Sequence, residues 1–368
     1  MRIIVGISGG VDSAVAALIL KRQGHDVSGL FMKNWEDDDR DGYCASEEDY
    51  RAARSVCDTL AIPLHLVNFS DEYRERVFSC FLAAHRAGLT PNPDVLCNRE
   101  IKFRSFLDHA LALGAERVAT GHYARTEVNR ESGLIELRKA SDPQKDQSYF
   151  LSLLGQQQLA HALFPIGTLH KPEVRRIARE GALPNHDRRD STGICFIGER
   201  NFRTFLSRYL QPEPGEIRDV DGRFKGTHSG VMYYTIGQRR GLGIGGPGGP
   251  WYIVEKRISE RVLVVAPENH PRLFSSALFA RDLAWVAGVP PKLPLRCTAK
   301  IRYRQQDEWC LVEPAGTSEV RVSFDRPQRA VTPGQSLALY SGDLCLGGGT
   351  IVEPLTRDQK PHALSQFG

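Results

Sequence analysis

A glycine-rich stretch near the N-terminus, GISGGVDS from Gly6 to Ser13, holds residue types that bind phosphate groups. It follows the apolar run RIIVGI and precedes apolar residues at helical spacing, so it joins a strand to the start of a helix. Its glycines let backbone N–H groups approach a phosphate, its serines add hydroxyl donors, and a helix N-terminus favours negative charge. It has neither the lysine of a Walker loop nor the spacing of the dinucleotide fingerprint, so we predict another kind of phosphate loop. The alternative is a glycine-rich turn in which the aspartate caps the helix.

Two of the eight cysteines lie in segments where sulfur chemistry is conceivable. Cys97 lies in NPDVLCNREIKF, close to Arg99 and Lys102, and Cys195 lies in STGICFIGER. A reactive thiolate needs an accessible sulfur and a stabilised charge. On composition alone, a buried structural role is favoured for both, and no Cys-x-x-Cys pair indicates a zinc or thioredoxin-like site. The remaining cysteines are predicted to pack as small apolar groups: Cys44, Cys57, Cys80, Cys297, Cys310 and Cys345.

The composition, with 41% hydrophobic and 25% charged residues, is typical of a globular protein and excludes a disordered chain. No apolar run reaches the roughly 18 residues that a membrane-spanning helix needs, and the N-terminus does not resemble a secretory signal. The net charge of +4 permits a nucleic-acid partner without implying one. We therefore expect a cytoplasmic protein that does not associate with a membrane.

Strand-like and helical patterns alternate as far as about Leu210. The repeated order of strand, helix and strand predicts an α/β fold, a doubly wound parallel sheet with helices on both faces. Beyond it, prolines, glycines and short alternating runs predict a small, mainly β central domain followed by a C-terminal β-barrel. The predicted divisions are residues 1–208, 209–273 and 274–356, with a polar tail at 357–368.

The glycine-rich stretch resembles the SGGxDS loop of the N-type ATP pyrophosphatases (the PP-loop superfamily), which cut ATP between the α and β phosphates and adenylate a substrate oxygen. This resemblance implies an adenine nucleotide α-hydrolase-like fold for the first domain. Further motifs, spread from the first strand to about residue 352, are similar to those of the bacterial tRNA-specific 2-thiouridylases. These motifs are GLFMKNW, TPNPDVLCNREIKF, ATGHYAR, KDQSYFL, DSTGICFIGERNFRTFL, YYTIGQRRGLGIGG and IRYRQ.

The resemblance implies that ATP and Mg²⁺ are the cofactors. Asp12 would help to hold the magnesium ion on the leaving pyrophosphate, and no tightly bound metal is expected. The implied ATP-binding residues are Gly6, Ile7, Ser8, Gly9, Gly10, Val11, Asp12, Ser13, Met32 and Gly121.

The same resemblance implies a reaction with two thiols. ATP activates the O2 oxygen of the wobble uridine in the tRNAs for Lys, Glu and Gln, Cys195 carries sulfur as a persulfide, and Cys97 is the nucleophile. The two cysteines end as a transient disulfide, which a reductant reopens. Asp94 matches the general acid/base, with a turn-forming role as the alternative. Whether Cys97 releases hydrosulfide or only resolves the persulfide stays open. The implied sulfur donor is a cysteine desulfurase or a sulfur-relay protein, and a monomer is expected.

Contacts with tRNA are expected from several segments. Asn92, Pro93 and Asp94 should border the target base, which must leave its stack to react. In KIRYRQ, a spacing of two predicts that Lys300, Arg302 and Arg304 share one face of a strand and follow the phosphates. The remaining residues that the resemblance implies for tRNA contact are His122, Lys145, Asp146, Gln147, Tyr303 and Gln335.

Two other functions compete with this interpretation. Another ATP pyrophosphatase with the same loop, such as a lysidine synthetase or an amidotransferase-linked ligase, would act on a different substrate and would not need two reactive cysteines. An inactive tRNA-binding protein with a decayed nucleotide domain is the other alternative, and the intact Gly9, Gly10, Asp12 and Ser13 argue against it.

Overall fold

The computed structural model describes residues 1–36, 45–190 and 202–355, so the predicted persulfide residue Cys195 lies outside the described residues. Within the described ranges no helix is long and apolar enough to cross a membrane. The α-helices are α1 (Val11–Arg22), α2 (Ala45–Leu60), α3 (Ser70–Tyr73), α4 (Ser79–Arg86), α5 (Pro93–Cys97), α6 (Phe106–Ala112), α7 (Ser148–Leu151), α8 (Gln156–Leu159), α9 (Lys171–Glu180) and α10 (Phe202–Leu206). The strands are β1 (Arg2–Gly6), β2 (Asp26–Lys33), β3 (Leu64–Asn68), β4 (Arg117–Ala119), β5 (Ala124–Val128), β6 (Ile135–Lys139), β7 (Ala162–Leu163), β8 (Gly215–Asp219), β9 (Phe224–His228), β10 (Trp251–Arg257), β11 (Val262–Pro267), β12 (Phe274–Trp285), β13 (Leu295–Lys300), β14 (Glu308–Ala315), β15 (Glu319–Arg329), β16 (Ser336–Ser341) and β17 (Leu344–Leu355).

The first domain is built on a five-stranded parallel sheet with the strand order β3-β2-β1-β4-β7. Successive residues of β1 point to opposite faces of this sheet. Ile3 and Val5 pack with residues of α1, α2 and α9 on one face, whereas Ile4 packs with residues of α4 and α6 on the other. Helices therefore cover both faces, which confirms the predicted doubly wound α/β fold.

The segment that carries Cys97 is helical from the start of α5 to the end of α6, with a kink at Phe103. A π-helical stretch, Asn98–Ser105, joins the two helices. Asn92 caps α5, because its side-chain oxygen accepts a hydrogen bond from the Val95 N–H at 3.3 Å. Cys97 thus lies where the α-helix passes into a π-helical stretch, a feature that is frequent at functional sites.

The central region forms a four-stranded sheet with the order β10-β11-β8-β9. Strand β11 is parallel to β8 and antiparallel to β10. Its buried Leu263 and Val265 belong to the same hydrophobic cluster as Ile4 and Phe106 of the first domain. The central domain therefore packs on the helical layer of the first domain. The exact divisions at residues 208, 273 and 356 stay predictions.

Six strands close into a C-terminal barrel in the order β12-β15-β14-β13-β16-β17, because β17 also pairs with β12. This closure confirms the predicted β-barrel. Strands β5 and β6 of the first domain extend the same sheet, and the register pairs Leu344 with Arg138 and Cys345 with Leu137. The sequence patterns did not predict this extension, since a pairing between distant parts of the chain leaves no local signal.

The strand predicted in KIRYRQ is shorter than its pattern indicates. Strand β13 ends at Lys300, and the chain then turns. Arg304 adopts a left-handed φ of 64°, while Arg302 donates to the Ala330 carbonyl oxygen. The prediction of one strand face with three aligned basic residues is therefore wrong.

A buried histidine connects the first domain to the central domain. His85 on α4 is 3% exposed, and its Nδ1 donates to the Met232 carbonyl oxygen at 3.1 Å. Burial lowers the pKa of His85 from its usual 6.5 to about 4. Because the folded state holds the proton less tightly than the unfolded state, neutral His85 stabilises the fold fully above pH 6.5. This contribution, up to about 3 kcal/mol, is lost as the pH falls toward the folded-state pKa.

His85→Gln keeps a donor for the Met232 carbonyl but cannot titrate. We expect its free energy of unfolding in urea to fall less steeply than that of the wild type between pH 6.5 and 4. Acid-titrating groups common to both proteins cancel in this comparison, and measurements above that window give the cost of the substitution itself. Equal slopes in the two proteins would contradict the role assigned to His85.

Candidate active site

The loops that follow β1 and β4 lie side by side at one edge of the parallel sheet. The two strands are neighbours, with Ile3 opposite Arg117 and Val5 opposite Ala119, whereas β2 and β3 lie on the other side of β1. The strand order therefore reverses between β1 and β4. In open parallel sheets, ligands bind at such a reversal, beyond the carboxyl ends of the strands. The glycine-rich stretch and the loop Thr120–Tyr123 border this crevice.

The glycine-rich stretch, here called the phosphate loop (Gly6 to Ser13), is shaped by its own hydrogen bonds. Ser13 Oγ donates to the Gly10 carbonyl oxygen at 3.1 Å and accepts from the Ser8 N–H at 3.2 Å. Gly9 has a left-handed φ of 79°, and a Cβ there would lie 2.6 Å from the Asp49 carbonyl oxygen. The loop therefore presents backbone and hydroxyl groups. Three of its predicted ATP-binding residues bury their side chains, Ile7, Val11 and Ser13.

Gly121 packs against the N-terminus of α1. A Cβ at this position would lie 2.6 Å from the Ser13 backbone nitrogen and 2.8 Å from the Asp12 carbonyl carbon. Because these are backbone atoms, only glycine allows so close an approach. Met32 lies beside the phosphate loop, with its Cε 3.6 Å from where a Cβ on Gly6 would be. The structure thus brings Gly121 and Met32 to the loop, and their contact with ATP stays a prediction.

Asp12 lies on the first turn of α1, and two side chains hold its carboxylate. The Lys171 Nζ is 2.8 and 2.9 Å from the two oxygens, and the Tyr123 hydroxyl donates to Oδ1 at 2.8 Å. Burial, and then the charge of Asp12, raise the pKa of Tyr123 well above its usual value, so this phenol remains a donor. No group of three or more metal-ligating residues occurs in the described ranges. A single carboxylate nevertheless fits a magnesium ion that is bound mainly by substrate phosphates.

Lys171 and Asp190 belong to the site, although the sequence motifs assigned neither residue a role. Asp190 accepts from three cations: its Oδ1 is 2.6 Å from Lys171 Nζ and 3.0 Å from an Arg175 guanidinium nitrogen, and its Oδ2 is 2.7 Å from Lys145 Nζ. Lys171 opens α9, where the helix dipole disfavours a cation, and is only 9% exposed. Buried lysines are nearly always paired. A lysine at the predicted N-terminus of a helix is therefore the sequence feature that could have identified Lys171 as a site residue.

Cys97 is buried, at 0% exposure, at the end of α5. Asp94 lies one helical turn before it and is half-buried, and residues at this spacing share a helix face. Asn92 and Pro93 form the start of the same helix. The structure therefore places the predicted acid/base and base-pocket residues next to the predicted nucleophile. The predicted partner Cys195 lies outside the described residues, so the disulfide stays a prediction.

The loop Thr120–Tyr123 also contacts the helix that carries Cys97. The His122 ring lies 6.0 Å from the Phe103 ring, centroid to centroid, and its Nδ1 is 2.8 Å from the Thr120 hydroxyl. Burial lowers the pKa of His122 well below its usual value, so the ring is neutral and carries no charge for an RNA phosphate. Phe103 lies six residues after Cys97, in the π-helical stretch that joins α5 to α6. One short loop therefore touches both the phosphate loop and the helical segment from Pro93 to Ala112 that carries Cys97, here called the Cys97 helix.

The C-terminal barrel holds the segment that precedes Asn92. Gln335 Nε2 donates to the Thr90 carbonyl oxygen at 2.9 Å and to the Pro91 carbonyl oxygen at 3.3 Å. The Thr90 N–H donates in turn to the Pro333 carbonyl oxygen at 2.9 Å. Gln335 thus positions the predicted base pocket, and its direct contact with tRNA stays a prediction.

The loop Lys145–Gln147 is held by its own acidic and amide groups. Asp146 is buried, and its carboxylate accepts from the Ser148 N–H at 3.2 Å and from the Ser148 hydroxyl at 2.9 Å. Gln147 Oε1 accepts from the Tyr123 N–H at 2.9 Å. These contacts shape the loop, and direct contact of its three residues with tRNA stays a prediction.

A cleft of about 720 Å³ lies between this loop and the turn that follows β13. The Tyr303 ring packs on Phe150, with centroids 4.4 Å apart, and the Arg304 guanidinium lies 5.4 Å from the Tyr303 ring. Arg302 is not among the lining residues. The charged lining residues are Lys139, Lys145, Lys300 and Arg304 together with Asp146 and Asp307. An aromatic ring within a mainly basic wall is suited to a nucleic-acid backbone.

Three family models match successive parts of the chain. Residues 1–199 match the tRNA methyl transferase HUP domain, residues 203–267 the tRNA methyl transferase PRC-barrel domain, and residues 275–351 the Aminomethyltransferase beta-barrel domain. The first model alone spans more than half of the 368 residues.

Curated relatives match nearly the whole chain. The tRNA-specific 2-thiouridylase MnmA of Alkalilimnicola ehrlichii is 59% identical, over 95% of this chain and 97% of its own length. The protein of the same name from Nitrosomonas europaea is 58% identical, over 95% of this chain and 98% of its own. The protein of the same name from Geobacillus thermodenitrificans is 54% identical, over 98% of this chain and 96% of its own length.

Gly121→Ala tests the close approach at the phosphate loop. Because the added Cβ meets backbone atoms of α1, we expect ATP to bind at least about 10-fold more weakly, as measured by equilibrium dialysis. Gly245→Ala is the matched control, since a Cβ there meets nothing within 4 Å. Wild-type affinity in a Gly121→Ala protein with unchanged thermal unfolding would show that this contact does not shape the site.

Proposed function

This chain belongs to the tRNA-specific 2-thiouridylase family, and from that premise we propose that it uses ATP to replace the O2 oxygen of a tRNA wobble uridine with sulfur. It is an enzyme of the tRNA-uridine 2-sulfurtransferase class. One observation supports the proposal for this chain in particular: the loop Thr120–Tyr123 touches both the phosphate loop and the Cys97 helix. We infer that a nucleotide on the phosphate loop and the Cys97 thiol act on the same base, which requires Cys97, buried in this structure, to become accessible.

In the first step, ATP binds with its phosphates on the phosphate loop. Amides at the N-terminus of α1 stabilise the negative charge there. The uridine O2 attacks the α-phosphorus, pyrophosphate leaves, and AMP becomes attached through O2. Magnesium held by Asp12 and the phosphate oxygens would supply further neutralisation of the leaving group. The adenylated base then has an electrophilic C2 and a good leaving group.

In the second step, sulfur from a Cys195 persulfide reaches C2 and AMP departs with the original oxygen. Either the terminal sulfur attacks C2 directly and Cys97 then displaces the thiolated base from Cys195, or Cys97 first releases hydrosulfide that attacks C2. Both routes end with 2-thiouridine, AMP and a Cys97–Cys195 disulfide. A two-electron reductant must reopen the disulfide before the next turnover. Asp94, one turn from Cys97, moves the proton.

The tRNA is proposed to place its flipped base against Asn92, Pro93 and Asp94. Its backbone would follow the basic cleft that Lys145 and Arg304 line, beside Tyr303. The proposed substrates are the tRNAs for Lys, Glu and Gln, and the proposed sulfur donor is a cysteine desulfurase or a sulfur-relay protein. We place this reaction in the cytoplasm, carried out by a monomer.

The family models and the relatives carry different names, methyl transferase and 2-thiouridylase. The two reactions leave different masses on the nucleoside. Two reactive thiols and an ATP loop would serve sulfur transfer, whereas methyl transfer needs neither. Mass spectrometry of the product therefore separates the two functions.

Cys97→Ser and Cys195→Ser should each reduce thiolation to background, because each removes a sulfur that the reaction oxidises. The measurement is mass spectrometry of nucleosides from unmodified tRNA incubated with the protein, ATP, magnesium and a persulfide donor. The expected product is 2-thiouridine, heavier than uridine by the difference between sulfur and oxygen. Cys80→Ser, at an exposed free cysteine, is the matched control and should retain activity.

Three outcomes would contradict the proposal, two read from the nucleosides and one from pyrophosphate measured in the same reaction. Full activity of both active-site variants would favour another PP-loop ATP pyrophosphatase with a different substrate. Absence of tRNA-dependent pyrophosphate release would favour an inactive tRNA-binding protein. A methylated nucleoside, formed in a parallel reaction that also contains a methyl donor, would favour the transferase that the family models name.

A further inference from the structure

Asp190 connects the phosphate loop to the loop proposed to contact tRNA, although no reaction step above uses it. Its Oδ2 is 2.7 Å from Lys145 Nζ, and its Oδ1 is 2.6 Å from Lys171 Nζ. Lys171 is at the same time 2.8 Å from Asp12 Oδ1. A continuous chain of ion pairs therefore runs from Lys145 through Asp190 and Lys171 to Asp12.

The charges in this series of ion pairs are shared, so a change at Lys145 affects Asp12. Two carboxylates share three cations, since Arg175 also contacts Asp190 at 3.0 Å. The side chains are only partly exposed, 11% for Lys171, 30% for Asp190 and 31% for Lys145, so water screens them incompletely. Burial opposes the charge of Asp190, but hydrogen bonds from Lys145 and Lys171 outweigh it and lower its pKa to about 2. Asp190 is thus a carboxylate at any physiological pH.

We propose that Asp190 is a positioning residue that couples tRNA binding to ATP binding by sharing Lys171 with Asp12; this inference rests on the proposed function of the two loops. A tRNA phosphate that binds Lys145 takes one of the three cations away from Asp190. Asp190 then attracts Lys171 more strongly, and Lys171 loosens from Asp12. The freed Asp12 carboxylate becomes available to the magnesium-bound phosphates of ATP. By reciprocity, ATP tightens tRNA binding to the same degree.

A second connection between the same loops has no exchangeable charge. Gln147 accepts from the Tyr123 N–H at 2.9 Å, and the Tyr123 hydroxyl donates to Asp12 at 2.8 Å. These neutral groups hold the geometry, but no cation can move along them. Substitution of Asp190 therefore interrupts the coupling while this second connection keeps the two loops in place.

The test uses an ATP analogue with a methylene group between the α and β phosphorus atoms, which the enzyme cannot cleave. Its affinity for the full-length protein is measured by calorimetry with and without tRNA, each with and without Mg²⁺. In the wild type we expect tRNA to tighten analogue binding about fivefold or more in the presence of Mg²⁺. Without Mg²⁺ the tightening should disappear, because a freed Asp12 repels bare phosphates.

Asp190→Asn should bring the ratio of the analogue affinities with and without tRNA close to one. Asp190→Glu, which keeps the charge, should restore part of the coupling. Lys145→Ala should bind the analogue tightly even without tRNA, since it imitates the removal of Lys145 from Asp190. A merely structural Asp190 predicts none of these patterns. Glu180→Gln is the matched control: it breaks the exposed 2.7 Å pair between Arg176 and Glu180 on the same helix α9 and should keep the coupling.

The inference and the proposed function fail in different ways. If the wild type binds both ligands but shows no coupling, or if Asp190→Asn keeps it, the inference is overturned and the proposed function stands. If the wild type binds neither the analogue nor tRNA, the proposed function fails and the inference with it.

Discussion

The close approach of Gly121 to the first turn of α1 determines how the parts of the site can meet. It is possible only because β1 and β4 are parallel neighbours at the point where the strand order reverses, so both of their following loops leave the same edge. His122, the next residue, packs against the Cys97 helix. A single loop therefore sets the separation between the phosphate loop and the helix that carries Cys97. A larger residue at position 121 would change that separation for every later step.

Charge is the second constraint. The phosphate loop has no lysine of its own, and in the structure the ammonium nearest Asp12 comes from Lys171 on α9. This arrangement lets the protein move the cation without moving the loop, since Asp190 competes for it. The segment predicted to form the base pocket is held by the barrel, where Gln335 donates to the Thr90 carbonyl oxygen just before Asn92. The first domain and the barrel thus share the construction of one site, and the central domain supports it by packing on the same helical layer.

Local patterns predicted the parts of the molecule whose structure depends on neighbouring residues. The spacing of glycines and serines between Gly6 and Ser13 predicted the phosphate loop, and alternating periodicities predicted the doubly wound sheet and the barrel. Interactions between residues that are distant in sequence were not predicted. The extension of the barrel sheet by β5 and β6 depends on a pairing across the chain. Lys171 was missed because its partners Asp12 and Asp190 are remote in sequence.

The prediction of a strand in KIRYRQ failed for a different reason. Its basic residues alternate with the period of a strand, but Arg302 instead donates to the Ala330 carbonyl oxygen. The roles of Cys97 and Asp94 came from a family resemblance, since composition favoured a structural cysteine. Their adjacency on α5 agrees with a shared role, yet adjacency follows from spacing alone. What the geometry adds is the contact between the ATP side and the thiol side of the crevice.

The central claim, that ATP activates the oxygen which sulfur replaces, can be tested by following that oxygen. A tRNA whose target uridine carries a heavy-oxygen isotope at O2 is thiolated with unlabelled ATP, and the released AMP is examined by mass spectrometry. Adenylation of O2 predicts one heavy oxygen in each AMP for each 2-thiouridine formed. Unlabelled AMP, with the heavy isotope recovered in water, would contradict the account.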